Sequence, residues 1–238
     1  MKVLMVHGSK QSGELFRTKC QPLERLLRKA YPGIELLYPT APFRLEKSPE
    51  KVVTSAATKL RAEYGEWTWW NQPDSFDGLY TDLELGLDVL ASVLEAEGPV
   101  DGMIGFSQGG AAAVMMASLL EGRQEALDQA QTEGGMDLET VREKIRGHPP
   151  LKFVVSVAGY RAEHPAYRAF YEPAIKTPSL HVLGSLDSVV EEETAMKLVQ
   201  SCSGVTEQMI IWHSGGHVIP SGKRELVSIV RFIGSHVP

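Results

Sequence analysis

The sequence predicts an α/β fold: about six mostly parallel strands with helices on both faces of the sheet, and a small lid or insertion. Three observations carry this. Short apolar runs alternate with segments of helical period along the chain. The runs are almost continuously hydrophobic, as strands covered on both faces must be. A serine between glycines, Gly105-Phe106-Ser107-Gln108-Gly109, stands where one such run meets a helix of small residues.

The elements follow in order. Lys2–Val6 is a β-branched and apolar run that ends at His7-Gly8, a strand entering a loop. Ser9-Lys10-Gln11-Ser12-Gly13 is polar and rich in turn formers. Leu23, Leu26, Leu27 and Ala30 recur at helical spacing, with Pro22 near the helix start and Pro32-Gly33 ending it. Ile34–Tyr38 reads as a second strand, closed by Pro39-Thr40-Ala41-Pro42. Residues 43–76 lack a clean period and hold Trp67, Trp69 and Trp70, an aromatic cap region. Leu79, Leu83, Leu87, Leu90 and Leu94 mark an amphipathic helix stopped by Gly98-Pro99. The serine strand, Asp101–Phe106, and its helix, Gly110–Ala117, come next. Residues 122–150 form a polar insertion with helical pieces, broken at Gly134-Gly135. Phe153–Val157, Leu180–Leu183 and Gln208–Trp212 complete the six strands. One helix carries Ala195, Met196, Leu198 and Val199, and the last carries Leu226, Ile229, Val230 and Ile233.

The 238 residues suit one α/β domain over 1–238, long enough to hold a core without disulfides or metals. A formal net charge of −6 gives no basic field for nucleic acid or anionic lipid. Two cysteines, Cys20 and Cys202, form no metal-binding pattern and read as free buried thiols; no metal or cofactor is expected. The apolar run at the start is too short for a signal peptide, and no stretch has the length to span a bilayer, which points to the cytoplasm.

Ser107 sits on a strand-to-helix turn, which forces strained backbone and presents the hydroxyl outside the sheet. The following helix aims its unpaired N–H groups at that serine, where negative charge develops in acyl transfer. A serine hydroxyl needs a base, and the base needs a carboxylate to orient it. Chemistry in parallel sheets gathers at the carboxyl ends of strands. Asp187 follows the Leu180–Leu183 strand and His217 follows Gln208–Trp212, giving the order serine, acid, histidine. His213 is the rival base, but it belongs to the strand, whereas Gly215-Gly216 lets His217 reach across. Glu191, Glu192 and Glu193 rival Asp187 but read as a helix's first turn. Asp101 precedes its strand, at the wrong end of the sheet. The oxyanion donors are expected to be the amides of Gln108 and Ser9, with Lys10 as second choice for the latter. Trp67, Trp69 and Trp70 are candidates for substrate binding; Met115 and Met116 read as core.

Six segments together resemble a known family: Val3–Gly8, Tyr38–Pro42, Gly105–Gly110, Val157–Tyr160, Gly184–Asp187 and Gly215–Pro220. They are similar, in order and over nearly the whole chain, to the FSH serine hydrolases. These include fungal esterases, an esterase associated with human ovarian tumours, and thioesterases that release polyketides from fungal synthases. The resemblance implies a compact α/β-hydrolase fold and a Ser107–Asp187–His217 triad. It implies cleavage of an acyl ester or thioester, with an acyl carrier protein as a possible partner. Lys10, Arg17, Lys19 and Arg44 are the basic residues nearest the expected mouth for such a carrier. An acyltransferase, or a silent binding protein on the same scaffold, is the alternative class.

Overall fold

A computed structural model describes residues 1–46, 63–73, 75–132 and 136–237. Strand β1 (Lys2–Val6) leads into α1 (Gly13–Ala30) and β2 (Glu35–Leu37). Two short strands, β3 (Phe43–Arg44) and β4 (Trp67–Thr68), precede α2 (Leu83–Glu97). Strand β5 (Gly102–Phe106) runs into α3 (Gln108–Leu120), and α4 (Gln124–Thr132) and α5 (Glu139–Lys144) follow. Then come β6 (Phe153–Val157), β7 (Ser179–Gly184), α6 (Glu192–Gln200), β8 (Ile210–His213) and α7 (Lys223–Gly234).

Six strands form one sheet in the order β2-β1-β5-β6-β7-β8. Every neighbouring pair is parallel. The chain starts mid-sheet, steps outward to β2, then returns to build β5 through β8 on the other side. That reversal opens a crevice at the carboxyl ends of β1 and β5, where parallel sheets hold their ligands. Val6 pairs with Gly105 there, so His7-Gly8 and Phe106-Ser107 leave the sheet side by side.

The period of two along each strand divides the core. Leu4, Val6, Met103, Val154 and Leu183 face a layer containing α2, α3 and α6. Val3, Met5, Ile104, Val155 and Val182 face α1 and α7. Helix α3 is buried along its whole length, as a helix that is apolar all round must be. Its glycines are there for approach: a Cβ on Gly109 would lie 2.1 Å from the Val6 carbonyl oxygen.

The structure departs from the sequence reading in three places. The helix expected from Leu79 begins at Leu83, and Leu79 is exposed. Thr81 instead exchanges two backbone hydrogen bonds with Asn71, at 2.9 and 3.0 Å, and Asp82 turns left-handed at φ 65°. Competing strand-like pairing therefore overrides the leucine period. The second strand is shorter than Ile34–Tyr38. The antiparallel β3–β4 ribbon was invisible, since two residues per strand carry no period. Residues 47–62 and 74 of the aromatic region lie outside the described residues, as do 133–135 of the polar insertion. The insertion's α5 packs on α2, where Lys144 Nζ donates to both Asp88 carboxylate oxygens at 2.7 Å. Cys20 and Cys202 are buried and free. No described helix is long and apolar enough to cross a membrane.

Candidate active site

Three elements converge at the carboxyl end of the sheet. Ser107 is the single residue between β5 and α3, at φ 53° and ψ −119°. That conformation is unfavourable for an L-residue, on the order of 1–3 kcal/mol. It is held by the Ser107 amide donating to the Val157 carbonyl at 2.8 Å and the Ser107 carbonyl accepting from Ala111 N at 3.0 Å. Gly105 makes the turn possible, because a Cβ there would lie 2.0 Å from the Gly109 oxygen.

Asp187 lies in the loop after β7. Its side chain is 3% exposed, and both carboxylate oxygens have partners. Oδ1 accepts from the amides of Val189 and Val190, both at 2.9 Å, while Oδ2 faces His217 Nδ1 at 2.8 Å. His217, in the loop after β8, places Nε2 2.9 Å from Ser107 Oγ. An ionised carboxylate only accepts, so Nδ1 carries the proton and Nε2 offers its lone pair to the serine hydroxyl. The His217 ring also packs against Phe106, with centroids 4.9 Å apart. The three residues singled out from the ends of separate strands thus form one continuous hydrogen-bonded chain.

His213, the rival, ends β8 as a strand residue. It is 8% exposed, and its Nδ1 accepts from Gly215 N at 3.1 Å, so it braces the loop that carries His217. Glu192 and Glu193 occupy the first turn of α6. Asp101 is at the amino end of the sheet, where it accepts from Lys2 N and Lys152 Nζ.

Around Ser107 and His217 opens a cleft of about 760 Å³. Ser9, Lys10 and Gln108 line it, as do Trp70, Phe76 and Tyr160. The other two tryptophans lie elsewhere. Trp69 is fully buried, its Nε1 donating to the His7 carbonyl at 2.7 Å. Trp67 borders a separate depression with Thr40 and Pro42, under the Arg44 guanidinium. Met115 and Met116 are buried in the core and do not line the cleft, nor does any described residue of 122–150.

The roles of two supporting side chains escaped the sequence reading. The His7 side chain is wholly buried, and burial pushes its pKa down to about 4. Its Nδ1 lies 2.7 Å from the Gly8 carbonyl oxygen, and its Nε2 accepts from Ala41 N at 3.0 Å. These partners fix the neutral tautomer with the proton on Nδ1. Because C=O and N–H oppose each other across a trans peptide, holding the Gly8 carbonyl aims the Ser9 amide away from the His7 ring. Gln108, expected to act through its amide, also uses its side chain. Its Oε1 accepts from Trp69 N at 2.8 Å and its Nε2 donates to the Trp70 carbonyl at 3.0 Å. The residue after the serine therefore ties the tryptophan segment to the turn. Only the His7-Gly8 and Tyr38–Pro42 segments hinted at the first link, and nothing hinted at the second.

A six-stranded parallel sheet with a serine at a sharp strand-to-helix bend, beside a histidine and a buried aspartate, defines an α/β hydrolase. The profile of the serine hydrolase (FSH1) family matches residues 1–229, and the chain belongs to that family. It is 30% identical to "Family of serine hydrolases 3" of Saccharomyces cerevisiae, over 98% of this chain and 83% of that protein. It is 28% identical to "Esterase OVCA2" of Danio rerio, over 93% and 91%. A 32% match to the "Dihydrofolate reductase" of Schizosaccharomyces pombe takes in 92% of this chain but 44% of that protein, so the chain spans less than half of that relative. Among solved structures, Arabidopsis thaliana SOBER1 superposes with a TM-score of 0.60 at 20% identity, over 100% of this chain and 99% of the other. Zea mays acyl-protein thioesterase 2 gives 0.57 at 18%, over 99% and 93%. These two likenesses speak to the fold.

Proposed function

We propose that this serine hydrolase cleaves carboxylic esters or thioesters through an acyl-enzyme on Ser107. The observation that carries the reading is the chain of hydrogen bonds from Ser107 Oγ to His217 at 2.9 Å and from His217 to Asp187 at 2.8 Å. Ser107 Oγ attacks the acyl carbonyl while His217 Nε2 takes its proton. Asp187 keeps the imidazole in the productive tautomer and stabilises its cation. The amides of Gln108 and Ser9 bind the oxyanion. His217 then gives its proton to the leaving alcohol or thiol, and the carbon–heteroatom bond breaks. Water, deprotonated by His217, repeats the attack and frees the acid.

Trp70, Phe76 and Tyr160 give the cleft an apolar wall suited to an apolar acyl chain. Lys10 and Lys19 also line it. Arg17 lies 3.9 Å from Glu24, and Arg44 stacks on Trp67. A carrier-bound polyketide is a more specific substrate of the same reaction. It is tested by comparing a simple acyl thioester with the same acyl group on an acyl carrier protein.

The direct test is hydrolysis of p-nitrophenyl esters by the protein and by Ser107→Ala. The variant is expected to lose about a thousandfold or more in kcat while keeping its circular dichroism spectrum. Full turnover by Ser107→Ala would overturn the reading. Adding an alcohol acceptor and following ester formation distinguishes transfer from hydrolysis.

A further inference from the structure

Seven large hydrophobic side chains are exposed among the described residues, and two of them line the cleft beside Ser107 and His217: Val189 at 56% and Val218 at 50%. Val218 directly follows His217. Val189 is fixed by its own amide, which donates to Asp187 Oδ1 at 2.9 Å. The two loops are also tied together, the Leu186 amide donating to the Gly215 carbonyl at 3.1 Å. Val189, Val190, Val218 and Ile219 line the cleft beside Ser107. The turn that holds the acid and the loop that holds the base therefore present an apolar lip at a fixed position relative to His217 Nε2. Singly exposed apolar residues are ordinary; a group of them continuous with a cleft marks a binding surface.

The reaction assigns that surface its occupant. His217 Nε2 must reach the leaving heteroatom to protonate it, so the first carbons of the leaving group lie against the histidine. The residues beyond that point on the His217 side are those of the lip.

We propose that Val189 and Val218 form a leaving-group subsite, so that the preferred substrates are esters or thioesters of an apolar, alkyl-bearing alcohol or thiol. The inference rests on the assignment of Ser107 and His217 above. It adds a specificity element on the side of the bond away from the acyl group.

The test holds the acyl group constant as butyryl and lengthens the leaving alcohol from methyl through butyl and hexyl to octyl, below the aggregation limit of each ester. The quantity read is kcat/KM, because it reports the steps up to acylation, while the leaving group is still attached. A fully buried methylene raises such a constant about fourfold, and a half-open lip about twofold. The octyl ester, four methylenes longer, is then expected to exceed the butyl ester by about fifteenfold. Val189→Ser and Val218→Ser are each expected to flatten the slope, and the pair to bring it close to zero. Val227→Ser, an exposed valine on α7, is expected to leave the slope intact. A slope of zero in the unaltered protein would overturn the proposal. So would a slope that the two lip variants do not change. A parallel series of methyl esters with lengthening acyl chains guards the assignment: if the lip variants flatten that series instead, the lip holds the acyl chain and the proposal fails. Ser107-dependent hydrolysis of methyl butyrate reports separately on the underlying reaction. Its loss would indict the mechanism, whereas its persistence with a flat leaving-group series would indict the subsite alone.

Discussion

At the scale of single residues, the site depends on side chains that never meet substrate. His7 is held neutral by burial and spends both ring nitrogens on backbone, one at Gly8 and one at Ala41. On the mechanism proposed above, it acts on the oxyanion indirectly, through the direction of the Gly8–Ser9 peptide. Loss of one oxyanion donor in a serine hydrolase costs about 10²–10³ in kcat. We expect His7→Ala to lower kcat by about tenfold to a hundredfold with a much smaller change in KM. Equal losses in kcat for His7→Ala and for the near-isosteric His7→Gln, accompanied by a large rise in KM, would mean that the residue shapes the cleft rather than the oxyanion donor. Gly105 is the other residue on which everything turns. A methyl group there would meet the Gly109 carbonyl at 2.0 Å, so Gly105→Ala is expected to yield little folded protein, as judged by its thermal transition.

Elements set the partners of these residues, and they explain what could and could not be read in advance. Strands β1, β5, β6 and β7 are legible because burial on both faces demands nearly unbroken apolar runs. Ser107, Asp187 and His217 could be singled out because each lies beyond the carboxyl end of a strand, and topology places those ends together. The β3–β4 ribbon was not legible, having too few residues to show a period. Nor was the role of the Gln108 side chain, whose partners, Trp69 and Trp70, lie 39 and 38 residues away and are set by tertiary packing. That link is expected to matter for stability. Gln108→Leu keeps the volume but leaves the buried Trp69 amide without its acceptor, a cost of about 1–3 kcal/mol. Denaturant unfolding followed by tryptophan fluorescence checks this; an unchanged midpoint would show that the segment is held by packing alone.

For the whole molecule, pH is a global probe because burial lowers the pKa of two histidines far below the usual range. His7 and His181, on opposite sides of β5, both have pKa values pushed down by burial to about 4, from the usual 6.5. The unfolded chain takes up protons on these groups near 6.5, while the folded chain does so only near 4. Their contribution is therefore constant above about pH 6.5 and is lost progressively as pH falls toward 4. Each group removes roughly 1 kcal/mol per pH unit across that window. A lower melting temperature at pH 5 than at pH 7 is expected, with a smaller difference in His181→Leu; equal differences in both proteins would contradict it. At this scale the sheet's one topological reversal places serine, histidine and aspartate in a single line, and the whole account depends on that line being reactive. Reaction with a fluorophosphonate, followed by peptide mass spectrometry, tests it most directly. One phosphonyl group per chain is expected on Ser107, absent in Ser107→Ala and much slower to form in His217→Ala. An unlabelled Ser107 in folded protein, or a rate indifferent to His217, would contradict it.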